Sequence, residues 1–300
     1  MNDKALFSPA KNEEKVFVKN YYKDFINKTL KSLDFIIPTI TLLIIFISSF
    51  VIYNFVDISY YTRIDFSNAF IKPCLKYPFG TNEFGQNQFF IVMSATFKTL
   101  LLAFIATIID AIIGVIIGIL WATNKKFNNL MFVIKNLFDN TPMIFFFIII
   151  SLFLKEGFIP LLIIIVLFQW IEFAFITRNN LIHIKTRDYN QVSKLYKTPF
   201  YKVLINNYLP SLLPIIFNNI ALCIPKIINL EITVSYFGFS IGKNRGSLGT
   251  LVYNSISNSS YFTHPYIFLV PFLILFIINL CVFFISKSIS KFSTKEGQSC

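Results

Sequence analysis

The stretch IKTRDYNQVSKLYKTPFYKVLINNYLPSLLP, from Ile184 to Pro214, is the longest polar interruption in the second half of a mostly apolar chain. Lysine and arginine residues are interspersed along it with tyrosine, phenylalanine, leucine and valine. A basic, amphipathic segment between two membrane spans is expected on the cytoplasmic side, where it offers a surface to another protein. An ordinary solvated connecting loop is the alternative.

The composition of the whole chain indicates a membrane protein. Hydrophobic residues make up 55% of the 300 residues and charged residues 14%, whereas soluble domains carry about 25% charged residues. Apolar runs of roughly 20 residues recur, and such runs cross a bilayer as helices. The net charge is +12, but the lysines lie beside these runs rather than in one patch, so they indicate membrane topology and no nucleic-acid partner. We therefore predict an all-α integral membrane protein surrounded by membrane lipid.

Six segments are predicted to span the membrane. They are Phe35–Phe55, Thr99–Trp121, Met131–Leu154, Phe158–Ile176, Leu209–Phe237 and Pro265–Ile285. The chain is predicted to begin with a cytoplasmic tail at 1–34, which forms either a surface helix or a hydrated tail. The first span and an external loop follow at 35–88. A core of five spans at 89–286 contains a cytoplasmic loop at 177–208, and a cytoplasmic tail at 287–300 ends the chain. Pro142 is expected to break the third span early. The three prolines of the fifth span predict that it is kinked or broken.

The distribution of basic residues predicts the orientation. If the amino end is inside, the inner segments contain eighteen Lys and Arg residues and the outer segments contain seven. Basic residues concentrate on the cytoplasmic side of membrane proteins. The sequence therefore predicts a cell-membrane protein with both termini in the cytoplasm, with Ile184–Leu204 inside and Pro78–Asn87 outside.

Charged and small residues inside the spans are candidates for special roles. Asp110 lies in the middle of the second span, where an ionisable residue is expected to face the bundle interior or a watery path. Gly114 and Gly118, four residues apart, offer a face for close helix packing. Lys226 has no partner at helical spacing, and Glu231 is predicted to have a structural or gating role near the outer end of the fifth span.

No motif for ATP hydrolysis or metal binding is found in the sequence. The segment Gly238-Phe-Ser-Ile-Gly-Lys-Asn has one residue too few between its glycines for a phosphate-binding loop, and it ends in Asn where Ser or Thr should hold magnesium. The four cysteines lack disulfide or metal spacing, and the two histidines fall on opposite predicted sides of the membrane. We therefore predict that the chain is no enzyme and binds no metal or cofactor itself.

The loop before the second span resembles a segment of the dipeptide, oligopeptide and nickel permeases of ABC importers. It reads Tyr77-Pro-Phe-Gly-Thr-Asn-Glu-Phe-Gly-Gln-Asn, where the family has Pro-x-Gly-Thr-Asp-x-x-Gly-Arg-Asp. Residues that fit the pattern are Pro78, Gly80, Thr81, Glu83 and Gly85. Uncharged residues replace its charged positions, at Asn82, Gln86 and Asn87.

The stretch from Ile184 to Pro214 resembles the cytoplasmic Glu-Ala-Ala loop of the same family. Gln191, Val192 and Ser193 stand at the Glu-Ala-Ala positions, Lys197 replaces the glycine, and Leu209-Pro210 is kept. A glycine there permits a tight turn, so the turn is expected to form differently, with Thr198-Pro199.

A third similar segment, Leu230–Ser240, lies at the end of the fifth span. Glu231, Ser235 and Gly238 match the family's Glu-Ala-x-Leu-Ser-Phe-Leu-Gly-Leu-Gly, and Gly246-Ser-Leu-Gly follows where the family has Pro-Ser-Trp-Gly. The candidate translocation or gating residues are Asp110, Glu231, Ser235 and Gly238.

The resemblance spans roughly residues 75–285 and implies an ABC importer type I permease-like bundle. Such a subunit pairs with a second permease subunit, binds two ATPase subunits that hold ATP and Mg²⁺, and receives substrate from an extracellular binding protein. Transport would proceed by alternating access. The residues implied to couple to an ATPase are Asp188, Tyr189, Gln191, Val192, Ser193, Leu195, Tyr196, Lys197, Phe200, Leu209 and Pro210.

Residues from Asp188 to about Leu204 are predicted to form one or two short helices, the second starting at Pro199, that dock on an ATPase. Peptides, nickel complexes and other small solutes stay open as substrates. A stand-alone secondary transporter or channel is an alternative, although no internal repeat is visible. A structural membrane scaffold would leave the three similar segments unexplained.

Overall fold

A computed structural model describes residues 29–56, 63–153, 157–187, 190–191, 193, 196, 198–237, 241, 246–257 and 260–295. Its helices are α1 (Leu33–Phe55), α2 (Gln88–Thr123), α3 (Lys125–Asn140), α4 (Met143–Phe153), α5 (Phe158–Lys185), α6 (Phe200–Val203), α7 (Leu209–Tyr236), α8 (Leu248–Ser257), α9 (Ser260–Thr263) and α10 (Tyr266–Lys295). In these ranges β pairing is limited to a single bridge between Thr81 and Asn87. The prediction of an all-α bundle is confirmed.

Five helical segments in the described ranges are long and apolar enough to cross a membrane, against six predicted spans. They are Leu33–Phe55, Gln88–Thr123, Phe158–Lys185, Phe200–Tyr236 and Tyr266–Lys291. The predicted third span, Met131–Leu154, is instead divided between α3 and α4. The 11 residues of α4, at about 1.5 Å each, cover roughly half of a bilayer core of about 30 Å.

Local sequence explains this division. Thr141, which follows α3, has an extended backbone (φ −111°, ψ 125°), as expected for the residue before Pro142. At its other end α3 starts at Lys125, because the Asn124 side chain accepts hydrogen bonds from two N–H groups of the first turn. Asn124–Asn129, between the predicted second and third spans, therefore form a cap and the start of a helix rather than a turn.

Two further helices are longer than the predicted spans. α2 begins at Gln88 rather than Thr99, because Asn87 accepts a hydrogen bond from a first-turn N–H and caps the helix. α5 continues to Lys185, past the predicted end at Ile176. The part of the predicted cytoplasmic loop up to Lys185 is thus helical, and the described connection to α7 is correspondingly shorter.

α7 is continuous, so of the two predicted forms of the fifth span, kinked or broken, the broken one is excluded. Pro214 and Pro225 lie inside it, and membrane helices tolerate proline because neighbouring groups satisfy the freed backbone carbonyls. A π-helical turn, Leu204–Tyr208, precedes α7 and places the N–H of Leu209 on the carbonyl of Leu204. Such turns are frequent at functional sites.

α2 and α5 pack side by side and run parallel. A Cβ atom at Gly114 would lie 2.7 Å from the Cβ of Phe173, and one at Gly118 would lie 2.7 Å from the Cβ of Thr177. Higher residue numbers of one helix thus meet higher numbers of the other. The prediction that Gly114 and Gly118 form a close-packing face is confirmed, because any side chain there would separate the helices.

The two ends of the described chain lie at the same end of the bundle. Tyr266, at the start of α10, donates a hydrogen bond to the carbonyl of Thr81 in the loop before α2, so α10 and α2 begin at the same end of the bundle and run parallel. At the far end of α10, the hydroxyls of Ser288 and Ser32 are 2.7 Å apart, which places the start of α1 there. The loop before α2 and the connection after α5 therefore lie at opposite ends.

Candidate functional site

Glu231 lies where three helices, α7, α8 and α2, come together. Its side chain is fully buried in α7, and Ser235 Oγ donates a hydrogen bond to its Oε1 at 3.1 Å. A Cβ atom at Gly249 in α8 would lie 3.0 Å from the same oxygen, so α8 approaches the carboxyl group closely. The N–H of Leu248, at the start of α8, donates to Thr99 Oγ1 of α2 at 3.1 Å.

The carboxyl group of Glu231 uses only part of its capacity to accept hydrogen bonds. Ser247 and Thr99 lie near it, yet Oε2 has no partner with good hydrogen-bond geometry among the residues that the structure describes. Removing a charge from water costs several kcal/mol unless it is paired, so the group is sensitive to any movement of α8. The prediction that Glu231 is buried against other helices is confirmed.

Asp110 lies inside the bundle, as predicted. Its side chain is fully buried, and neither carboxylate oxygen has a hydrogen-bond partner in the described part of the chain. Asp110, Glu172 and Lys226 all lie close enough to Cys223 for their charges to act on its thiol. Three helices, α2, α5 and α7, therefore bring a group of ionisable side chains together within the membrane-spanning region.

Lys226, for which the sequence offered no partner, forms an ion pair with Glu172 of α5. Because α5 extends to Lys185 rather than ending at Ile176, Glu172 lies about halfway along the helix. A charged residue at the centre of a membrane helix costs roughly 2.5–3.5 kcal/mol on insertion scales. Pairing reduces this cost for both residues.

The loop before α2, residues 63–87, is predicted to be external and is called the external loop; it is folded tightly on itself. Thr81 Oγ1 donates to the carbonyl of Asn68 at 2.6 Å and accepts from the N–H of Ile71 at 2.8 Å. The Asn82 side chain accepts hydrogen bonds from two following N–H groups at 3.1 and 2.9 Å. Thr81, a residue of the predicted motif, is therefore the buried centre of the loop.

Two glycines of the predicted motif permit this fold. Gly80 and Gly85 have φ of +74° and +72°, in the left-handed region that favours glycine. A Cβ atom at Gly85 would overlap the carbonyl oxygen of Asp65, and one at Gly80 would lie 2.7 Å from the Tyr266 ring. The Tyr266 hydroxyl donates to the carbonyl of Thr81 at 3.0 Å and fastens the loop to α10.

Asp65 caps the short 3₁₀ turn of this loop. Its carboxylate accepts hydrogen bonds from the hydroxyl and the N–H of Ser67 and from the side-chain amide of Asn68. These bonds, with that from the Ser67 hydroxyl the largest cause, hold the pKa of Asp65 below its usual value.

The connection after α5, residues 186–208, is predicted to be cytoplasmic and is called the inner connection; it has a polar anchor at its base. Asn190 is buried, donates to the carbonyl of Ile184 at 2.7 Å and accepts from Asn207 at 3.0 Å. The ammonium group of Lys185 donates to the carbonyl of Ala122 at 2.7 Å, which ties the end of α5 to the end of α2. The base of the connection is therefore fixed to the bundle.

The rest of the inner connection presents apolar surface. Tyr196 is 82% exposed and Phe200 51% exposed, whereas Val203 and Tyr208 pack against the end of α5. α6 starts directly after Pro199, as predicted, and Asn190, Gln191 and Ser193 also have helical backbone. Docking on an ATPase stays a prediction, because the geometry concerns this chain alone.

The comparison with known protein families identifies this architecture. The model of the family described as "Binding-protein-dependent transport system inner membrane component" matches residues 114–293, more than half of the chain. The chain belongs to this family. It is therefore an ABC importer permease, a membrane subunit rather than a catalytic enzyme, and the resemblance identified in the sequence is confirmed.

Relatives of this permease cover most of its length. The oligopeptide transport system permease protein AmiD of Streptococcus pneumoniae is 28% identical over 274 residues, 91% of this chain and 87% of that protein. The dipeptide transport system permease protein DppC of Lactococcus lactis is 28% identical over 211 residues, 70% and 61% of the two chains. The oligopeptide permease protein OppC of Bacillus subtilis is 24% identical over 228 residues, 76% and 73%.

The permease fold brings some predicted residues together and leaves others apart. Glu231 and Ser235 meet, and the external motif closes around Thr81, with Pro78 exposed and Glu83 half-buried. Leu209-Pro210 begins α7. Predicted site residues outside the described ranges are Asp188, Tyr189, Val192, Leu195, Lys197 and Gly238. Sequence reasoning gave no site role to Thr99, Glu172 and Asn207, although a charged residue within a predicted span, as at Glu172, was a usable signal.

Proposed function

We propose that this permease subunit imports short peptides, driven by ATP that separate ATPase subunits bind and hydrolyse with Mg²⁺. The names of its relatives, which are oligopeptide and dipeptide transport proteins, support the substrate class. In the proposed complex the chain pairs with a second, similar permease subunit. It binds two ATPase subunits and receives peptide from an extracellular binding protein.

The exposed aromatic surface of the inner connection is the observation that carries this proposal. Tyr196, Phe200 and Tyr201 project from a base that is anchored to the ends of α2 and α5. Aromatic side chains of this kind commonly dominate protein contacts. In the proposed orientation both termini and the inner connection are cytoplasmic, as the excess of basic residues supports, and the ATPase covers this surface.

The helix order supports a route from the docking surface to the outer end. α6, the π-helical turn and α7 follow one another from Phe200 to Tyr236, so a displacement of the inner connection acts directly on α7. α7 ends close to Glu231, where α8 packs against the carboxyl group. ATP-driven closure of the ATPase pair would move α7 and alter this junction. In the proposed mechanism, alternating access, this movement opens the path to one side of the membrane and closes it to the other.

Glu231 has a gating role in this proposal. Replacing Glu231 with Gln keeps the acceptor for Ser235 but removes the charge. We expect peptide uptake to fall roughly tenfold while the yield of assembled complex is maintained, as for the loss of one charge-assisted hydrogen bond. Unchanged uptake would show that the charge at this junction has no part in gating.

Reconstitution tests the function as a whole. The chain is co-expressed with a second permease, ATPase subunits and a binding protein from the same organism, purified in detergent and placed in proteoliposomes. We expect uptake of radiolabelled peptides with free ends that requires both ATP and the binding protein. Uptake of a nickel complex in place of peptides would reassign the substrate, and uptake without any ATPase subunit would favour a stand-alone transporter.

A further inference from the structure

The ion pair between Glu172 and Lys226 is unusual in being half-exposed at mid-membrane. Both side chains are 46% exposed, although Glu172 lies about halfway along α5 and Lys226 in the second half of α7. Charges within membrane helices face the bundle interior or a water-filled cavity. An exposed charged pair in a spanning region therefore indicates that this face of the chain is not covered by lipid.

The exposed face of α7 continues this polar character. From Leu222 onward its exposed residues recur every three or four positions and form one stripe, the α7 stripe: Leu222, Lys226, Asn229, Thr233 and Tyr236. This spacing places them on a single helix face. Polar side chains occupy the centre of the stripe, so the face that extends from the ion pair towards the external loop suits water.

A second exposed face in the same molecule shows what lipid contact looks like. The exposed residues of α10 between Leu269 and Phe284 are all phenylalanine, leucine or isoleucine. The α7 stripe differs from that face in composition, not in exposure. It also differs from the α2–α5 contact, where Gly114 and Gly118 allow the close approach that helix interfaces in membranes require. Long polar side chains fit a water-lined cavity better than either surface.

We propose that Glu172 and Lys226 form a contact site for the charged ends of a peptide midway along the translocation path, with Asn229 and Thr233 lining the path. This rests on the proposed peptide import. The ammonium group of Lys226 is complementary to a peptide carboxylate, and the carboxylate of Glu172 is complementary to a peptide ammonium group. When no peptide is present the two residues satisfy each other, so neither is left as an unpaired charge.

Thiol accessibility tests whether the α7 stripe faces water. The complete complex carries Asn229→Cys or Thr233→Cys in a chain whose four natural cysteines are replaced, and a membrane-impermeant cationic methanethiosulfonate reagent is added. Matched controls are Phe276→Cys and Leu280→Cys on the exposed face of α10. We expect modification at the α7 positions at least roughly tenfold faster, because thiolates form only in water. Equally slow modification at all four positions would overturn the inference.

Peptide uptake by charge variants tests the contact site. For Lys226→Met we expect uptake of a free-ended alanine peptide to fall roughly tenfold, with no change for the same peptide amidated at its carboxyl end. For Glu172→Gln the insensitive peptide is the one acetylated at its amino end. The exchanged variant, Glu172→Lys with Lys226→Glu, restores the pair and should recover much of the uptake.

The outcomes separate the two proposals. If the unchanged complex imports peptides but each single variant slows free-ended and capped peptides equally, the pair is only structural and the contact site is refuted while peptide import stands. If the unchanged complex imports no peptide of any kind, the proposed function fails and the contact site with it.

Discussion

The external loop and the inner connection lie at opposite ends of the bundle and are held in different ways. The external loop closes on its own backbone around Thr81, and two glycines allow the chain to pass where any side chain would collide. Among the described residues of the inner connection, Asn190 and Asn207 fix its base, while Tyr196 and Phe200 remain exposed. The external loop also exposes apolar side chains, such as Phe66 and Leu75, but its fold is held by its own hydrogen bonds. In the inner connection the exposed aromatic side chains stand on an anchored base, where a partner can bury them.

This difference separates stability from coupling. Substitutions in the external loop are expected to change the free energy of unfolding, because the interactions lost there are within the chain. Substitutions on the exposed part of the inner connection are expected to change activity in the assembled complex and leave the isolated subunit stable. The predictions below test that separation.

Gly85→Val is expected to have the largest effect. Its Cβ would overlap the carbonyl oxygen of Asp65 at a backbone φ of +72°, so the loop must rearrange, at a cost of at least about 3 kcal/mol. The thermal midpoint and yield in detergent measure this. The control is Gly157→Ala, whose Cβ would make ordinary contact with Pro160 at 3.4 Å, and equal stability of the two variants would contradict the account.

Tyr196→Ala combined with Phe200→Ala should impair coupling without destabilising the subunit. Both side chains are exposed, so we expect the free energy of unfolding to change by at most about 0.5 kcal/mol for each. Co-purification of the ATPase and ATP-driven uptake should each fall at least roughly tenfold, because contact anchors are lost. Tyr208→Ala is the matched control, since its buried ring should cost about 3–5 kcal/mol of stability. Normal co-purification in the double variant would refute docking here.

Tyr266→Phe should have a smaller effect at the outer end. It removes only the hydroxyl that donates to the carbonyl of Thr81 at 3.0 Å, which is worth about 1 kcal/mol. The exposed Tyr201, in the inner connection, provides the comparison, because Tyr201→Phe should leave the thermal midpoint unchanged. A larger shift of the thermal midpoint for Tyr201→Phe than for Tyr266→Phe would contradict the expectation that the external loop contributes more to stability than the exposed part of the inner connection.

Acid should weaken the external loop slightly through Asp65. Hydrogen bonds from Ser67 and Asn68 hold the folded-state pKa of Asp65 below its unfolded value of about 3.9. Its contribution is therefore fully present above that pH and is lost as the pH falls through the lower, folded-state pKa. Thermal midpoints of the wild type and of Asp65→Asn should converge below about pH 4, and a constant difference across this range would contradict the assignment.

Part of the fold could be predicted from hydropathy, because the lipid interior favours apolar side chains and a helical backbone along the whole of a span. The membrane class, five of the predicted spans and the interior position of Asp110 follow from that requirement. The division of the third span could not be predicted from hydropathy, because the cap at Asn124 and the extended residue before Pro142 act over single residues. A hydropathy window averages over such local events.

The sequence by itself determined that the chain lies in a membrane, which residues turn sharply, and that α2 offers small residues for close packing. These properties depend on residue type and on spacing within one segment. Only the tertiary structure decided that Lys226 forms an ion pair with Glu172, 54 residues away, and that Gly249 packs against the carboxyl group of Glu231. Such contacts depend on how separate helices rotate and pack against each other, because the energy of burying a charge is set by whichever group the neighbouring helix places beside it.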